Sequence, residues 1–203
     1  MSNFDFLTIE KTKTPIPFLL SWHIARQNYV AARVSLQQGL TDSGCLLAEQ
    51  SVEMFVKAIL HLQSNSEEAH YLVKLLKRGN GKIPYFDKLL TEPKLLYFIE
   101  NLNLAYNIMR FGEGKSSVKN PELIQVLDEV AFNLDKTYRE SARGHVVQRV
   151  SVTIKDGVQN TSYEAKATPL YVPDAMKEAF LRDNKYFSEQ DISNNFMAKV
   201  PLP

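Results

Sequence analysis

Apolar residues recur in steps of three and four through most of the first 140 positions, and residues that start or stop helices bracket each run. Phe18, Trp22, Ala25, Tyr29, Ala32 and Leu36 share one helical stripe, with Pro15 and Pro17 suited to its start and Gly39 to its end. A second pattern runs from Leu46 to Leu62, with Asp42 or Ser43 available as its cap, before "QSNS" breaks it. Ser66, followed by Glu67 and Glu68, is placed to cap a shorter helix through "AHYLVKLLKR", which "GNG" at 79–81 stops. The segment "KIPYFDKLL" reads either as a helical turn or as a packed loop. Leu95, Phe98, Leu102, Ala105 and Met109 form a further stripe after Thr91, Glu92 and Pro93, ending near "FGEG". Asn120, Pro121 and Glu122 combine a side-chain cap, a tolerated N1 proline and a carboxylate on the positive helix end, opening a last long helix to Gly144. The expected fold class is mainly α, an up-and-down helical bundle of four long helices plus one short.

At His145 the period changes. "VVQRVSVTIKDGVQNTSYEAKA" is rich in Val, Thr and Ile, and Asp156-Gly157 at its midpoint is a hairpin signal. Asp174 is placed to cap a short helix through "AMKEAFLRD", and "SEQDISNNFMAKVPLP" reads as an extended tail. A lone hairpin is marginal in water, so it is expected to pack on the bundle, on the last helix or on another chain. The organisation predicted is a bundle at 1–144 and a C-terminal β-hairpin, short helix and tail at 145–203.

Composition narrows the classes. With 203 residues, 44% of them hydrophobic, the chain can bury a core without disulfides, and its single cysteine, Cys45, excludes an intramolecular disulfide. Four scattered histidines with no His-Glu-x-x-His pair give no zinc motif, no apolar run reaches membrane-spanning length, and the N-terminus lacks a signal-peptide pattern. These features point to a soluble cytoplasmic protein with no cofactor, no metal and no membrane partner. The net charge of +1 gives no global reason for nucleic-acid binding, yet residues 74–119 hold nine basic against four acidic side chains.

The second helix carries a narrow polar stripe in "LLAEQSVEMFVKAIL": Glu49, Gln50, Glu53 and Lys57 project together, opposite Leu47, Ser51, Phe55, Ala58 and Leu62. The apolar arc covers more than half the circumference, from which a homodimer is expected. Glu53 and Lys57 stand at i, i+4 in the favourable order, either as a solvated pair or as the lining of a cleft. If the stripe is buried, Gln50, Glu53, Lys57 and Tyr106 need one another as partners.

The same stretch is similar to the second-helix signature of the HEPN family, the nucleotide-binding helical bundles of prokaryotes and higher eukaryotes. Gln50, Glu53 and Lys57 match that signature, with Ala48 and Ala58 as its small neighbours. "AHYLVKLL" resembles the family's His-x-Leu-x-x-Leu helix start, beginning at His70, and "AYNIMRF" resembles its Tyr followed by Arg and an aromatic, here Tyr106 and Arg110. The resemblance covers about residues 18–140 and implies a dimerising bundle of one of three kinds: a ribonuclease toxin of defence or toxin-antitoxin systems, a partner of a minimal nucleotidyltransferase, or a binding module without catalysis. Ribonuclease members carry Arg and His with four to six residues between them, the Arg gripping phosphate and the His exchanging a proton. After Arg110 the corresponding positions hold Lys115, Ser116 and Ser117.

A second match, Arg139 to His145 in "RESARGH", is a weak catalytic candidate: eight arginines and a few per cent of histidine predict about 0.5 such spacings by chance. Its arginine also falls near a helix C-terminus, where cations are favoured for structural reasons. His70 reads as a surface or packing residue. "RFGEGKSS" fails the P-loop spacing, although Arg110, Lys115 and the nearby glycine amides have the donors to hold a phosphate. Phe18, Trp22 and Tyr29 read as core, because a base-stacking platform needs exposed aromatics between basic residues. The reading is a HEPN-like nucleotide- or RNA-related ligand-binding bundle without ribonuclease activity. An atypical ribonuclease toxin and a protein-interaction module partnering a nucleotidyltransferase or other protein are its alternatives.

Overall fold

The computed structural model describes residues 16–62, 71–111, 120–144, 150–154, 157–161 and 169–194. Four long helices dominate: α1 (Ile16–Gln37), α2 (Thr41–Leu62), α5 (Pro93–Phe111) and α6 (Asn120–Gly144). Two short ones, α3 (Leu72–Arg78) and α4 (Pro84–Thr91), lie between α2 and α5. α4 resolves the open segment: Pro84 takes its first turn, and the half-buried chain of "KIPYFDKLL" drives Phe86 and Leu89 into the core. No helix among the described residues is long and apolar enough to cross a membrane.

Local chemistry explains the joints. Gly39 has φ +79°, the left-handed conformation that ends α1, and α2 begins only two residues later. A Cβ at Gly44 would stand 2.5 Å from the Leu36 side chain, so glycine there lets α1 and α2 approach closely. Asp42 and Ser43 lie inside the first turn of α2, at its second and third residues, past the capping position. Ser66, the expected cap of α3, lies outside the described residues. That helix starts at Leu72, whose amide donates to Asn103 Oδ1 of α5 at 3.1 Å, a cap supplied from 31 residues away that local sequence does not signal.

α2 is the central helix, packed against α1, α3, α5 and α6, and thirteen of its 22 residues are buried. Its wide apolar arc is therefore covered within one chain, so it does not itself call for a second subunit.

Beyond the bundle, β1 (Val150–Ile154) and β2 (Gly157–Thr161) pair antiparallel with Ile154 opposite Gly157. Gly157, half of the expected Asp156-Gly157 turn, thus opens β2, and Asp156 lies outside the described residues. The tail is not simply extended. Glu189–Asp191 form a 3-10 turn, and β4 (Ile192–Ser193) pairs in parallel with β3 (Leu170–Tyr171) around α7 (Asp174–Leu181). Phe180 and Phe187 reach the main core, with ring centroids 5.6 and 5.4 Å from Tyr29 of α1. Burying a phenylalanine side chain contributes roughly 1.5–3 kcal/mol, so these two rings anchor the C-terminal segment on α1.

Candidate functional site

Ionisable side chains enter the core at two places. The first is the seam between α1 and α6. Arg33 is fully buried, and its Nε donates to both oxygens of Asp128, at 2.8 and 3.1 Å. Its remaining nitrogens donate to the carbonyls of Ala179 (3.0 Å) and Arg182 (2.7 Å) at the end of α7. Tyr29 donates its hydroxyl to Asp128 Oδ1 at 2.8 Å and accepts from Asn184 Nδ2 at 3.2 Å. Burial pushes the Asp128 carboxyl up, while Arg33 and the Tyr29 hydroxyl pull it back.

Two turns along the seam stands Asp135. It accepts from Trp22 Nε1 at 2.8 Å and pairs with Arg26 at 3.5 Å and Arg139 at 3.0 Å. The Arg26 guanidinium lies 4.6 Å over the Trp22 ring, against which the ring of Tyr138 also stacks. Burial lowers the Arg26 pKa, against the opposing pull of Asp135.

The second place is the polar stripe of α2. Glu53 is 4% exposed and accepts from the half-buried Lys57 Nζ at 2.5 Å, so the pair is not a freely solvated one. One turn earlier, Glu49 is fully buried and neither carboxyl oxygen has a hydrogen-bond partner. Burial first, then the neighbouring Glu53, pushes it up to about 8 despite the counter-pull of Lys57. It is therefore a neutral carboxylic acid at pH 7. Ser51, on the apolar side, satisfies its hydroxyl by donating to Ala25 O at 2.8 Å.

The expected site residues separate accordingly. Glu53 and Lys57 meet; Gln50 is half-buried on the same helix, and Tyr106 is half-buried on α5, which packs on α2. Arg110 belongs to the final turn of α5, and its side chain lies outside the described residues, as do Lys115 and His145. His70 precedes α3 instead of occupying its first turn, and also lies outside them. Arg139 stands five residues before the end of α6, deeper than expected, with its guanidinium engaged by Asp135. Two surface depressions of about 410 and 640 Å³ flank α7, and no α2 residue lines either.

Sequence reading missed the seam. Its signal was present: Arg26 and Arg33 are seven residues apart on the first helix, and Asp128 and Asp135 seven apart on the last, so antiparallel helices pair them in order.

The profile of the HEPN domain matches residues 19–131, more than half of the chain. The chain belongs to the HEPN family. No curated protein and no solved structure matches it. The HEPN match spans α1 to the middle of α6 and includes the α2 stripe and the Arg33–Asp128 pair. Asp135, Arg139 and the segment from Leu170 that completes the seam fall beyond it.

Proposed function

We propose that this HEPN-family protein binds a nucleotide or an RNA-related anion and does not cleave RNA by the Arg-His route. The observation that carries this reading is the pair between Arg139 and Asp135. The Arg139 guanidinium lies 3.0 Å from a carboxylate that is 2% exposed and is shared with Trp22 and Arg26. Gripping a phosphate would require the half-buried guanidinium to leave that carboxylate and give up a charge-assisted hydrogen bond. Arg139 is thus a structural residue in this reading, and the His145 match loses its phosphate-binding partner.

Binding itself is supported by the basic excess over residues 74–119 and by Arg110, the arginine that matches the family motif. The ligand's phosphate is assigned to the segment from Arg110 to Lys119, with Lys115 and glycine amides as further donors. HEPN domains often dimerise, and a homodimer belongs to the proposal. The competing reading, an atypical ribonuclease, has one specific observation in its favour: Glu49 titrates at about 8 and can exchange a proton near neutral pH. Glu49 is, however, fully buried and touches no substrate from there.

The test is a titration of a labelled nucleotide and a labelled RNA against wild type and Arg110→Ala/Lys115→Ala. Weaker, less salt-dependent binding by the double variant is expected. Absence of binding by wild type contradicts the proposal, and unchanged affinity of the double variant removes the assigned phosphate site.

A further inference from the structure

A stacking platform requires exposed aromatic rings between basic side chains, and Trp22 and Tyr29 fail that requirement because both are core. Two other tyrosines are exposed beside basic side chains. Tyr71, at the N-cap of α3, is 61% exposed, and Tyr97 on α5 is 65% exposed. On α3 the outward row is Tyr71, Lys74 and Lys77, while Leu72, Leu75 and Leu76 face the core. On α5 the outward row is Lys94, Tyr97, Glu100 and Leu104, while Leu95, Phe98, Ile99, Leu102 and Ala105 face inward. The bond from the Leu72 amide to Asn103 Oδ1 sets the start of α3 against α5 beside Leu104, so the two rows form one surface.

The charge of this surface is uncommitted. Lys74, Lys77 and Lys94 have no ion pair among the described residues, whereas Lys88, Lys136 and Lys177 each pair with a carboxylate. Glu100, one turn from both Tyr97 and Leu104, is exposed in the same row, and the three lysines outnumber it. Exposed rings flanked by free ammonium groups complement a chain that offers both π-faces and phosphates. A duplex keeps its bases stacked inside, so the complementary form is single-stranded. A protein partner fits less well: its anchoring side chains fill pockets, and the two surface depressions described above lie at α7.

We propose that the α3–α5 face is a stacking platform for single-stranded RNA, with Tyr71 and Tyr97 each supporting a base and Lys74, Lys77 and Lys94 following the backbone. This inference rests on the reading that the protein binds an RNA-related ligand, and it adds a surface outside the Arg110–Lys119 segment.

The experiment is fluorescence anisotropy of a labelled 12-nucleotide oligoadenylate and of a base-free polyphosphate against the full chain. Variants are Tyr71→Ala, Tyr97→Ala, Tyr97→Phe, Lys94→Ala and Arg110→Ala, each checked by thermal melting. Tyr71→Ala and Tyr97→Ala are expected to weaken oligoadenylate binding by about 5-fold or more each and leave polyphosphate binding unchanged. Tyr97→Phe should retain wild-type affinity, and Lys94→Ala should reduce the salt slope by about 0.7. Oligoadenylate binding that falls in Arg110→Ala but is unchanged in both tyrosine variants overturns the platform and leaves the functional reading in place. Failure of wild type to bind any of these ligands removes that reading and the platform with it. Loss of self-association in Tyr97→Ala, with RNA affinity unchanged, reassigns the face to a contact between copies and overturns the platform.

Discussion

The α1–α6 seam and the α2 stripe both bury charge, and they do so in opposite ways. In the seam every carboxylate is met: Asp128 by Arg33 and Tyr29, Asp135 by Trp22, Arg26 and Arg139. In the stripe Glu53 has Lys57, but Glu49 has no hydrogen-bond partner among the described residues. A satisfied buried network fixes how elements dock, because shifting α6 by one residue along α1 would break both arginine–aspartate pairs together. An unsatisfied carboxyl fixes nothing and costs stability whenever it must ionise. The seam is an organising device that joins the first helix, the last helix and α7, while the stripe stores a penalty in the centre of the bundle.

That contrast gives effects of decreasing size. Arg33→Ala strands Asp128 and removes the donors to Ala179 and Arg182; a loss of about 3–5 kcal/mol is expected in denaturant unfolding, with faster proteolysis at 169–194. Arg33→Met combined with Asp128→Leu should recover only part of it, since Tyr29 and the two carbonyls stay unmet.

Glu49→Met should act in the other direction. The carboxyl titrates near its ordinary 4.5 in the unfolded chain and near about 8 in the fold. Between those values the unfolded chain has released a proton that the fold retains, so wild-type stability falls as pH rises from about 4.5 to about 8 and then levels. The variant should lose that slope and gain on the order of 4 kcal/mol at pH 8, read from unfolding midpoints at pH 5 and pH 8.

Trp22→Phe keeps the ring against Tyr138 but removes one donor to Asp135, for a loss of about 1 kcal/mol by thermal melting. Smallest of all is Lys88→Ala. Its two 3.5 Å contacts, to Glu92 and Glu129, lie at an exposed site, and a change below about 0.5 kcal/mol is expected.

What the sequence made legible follows the same division. Helix periods and stop signals placed the four long helices, because apolar stripes and glycines such as Gly39 act locally. The polarity of Glu49, Glu53 and Lys57 was legible, but their burial was not, because it depends on how many neighbours surround α2. Arg33 escaped notice because a long cation beside a core stripe usually keeps its head in water, and here α7 returns from 146 residues away to close over it. The cap from Asn103 and the pairing of β3 with β4 were hidden for the same reason: each partner is distant in sequence. The candidate phosphate site was legible only as residue types, Arg110 and Lys115 in place of an Arg-His pair.

The central claim is that this HEPN protein binds without Arg-His ribonuclease chemistry, and cleavage of RNA tests it most directly. Purified wild type, His145→Ala and Lys115→Ala are incubated with end-labelled RNA in the presence of a chelator, and the products are followed by gel. The account predicts intact RNA in all three reactions. Cleavage by wild type that disappears in His145→Ala would contradict it.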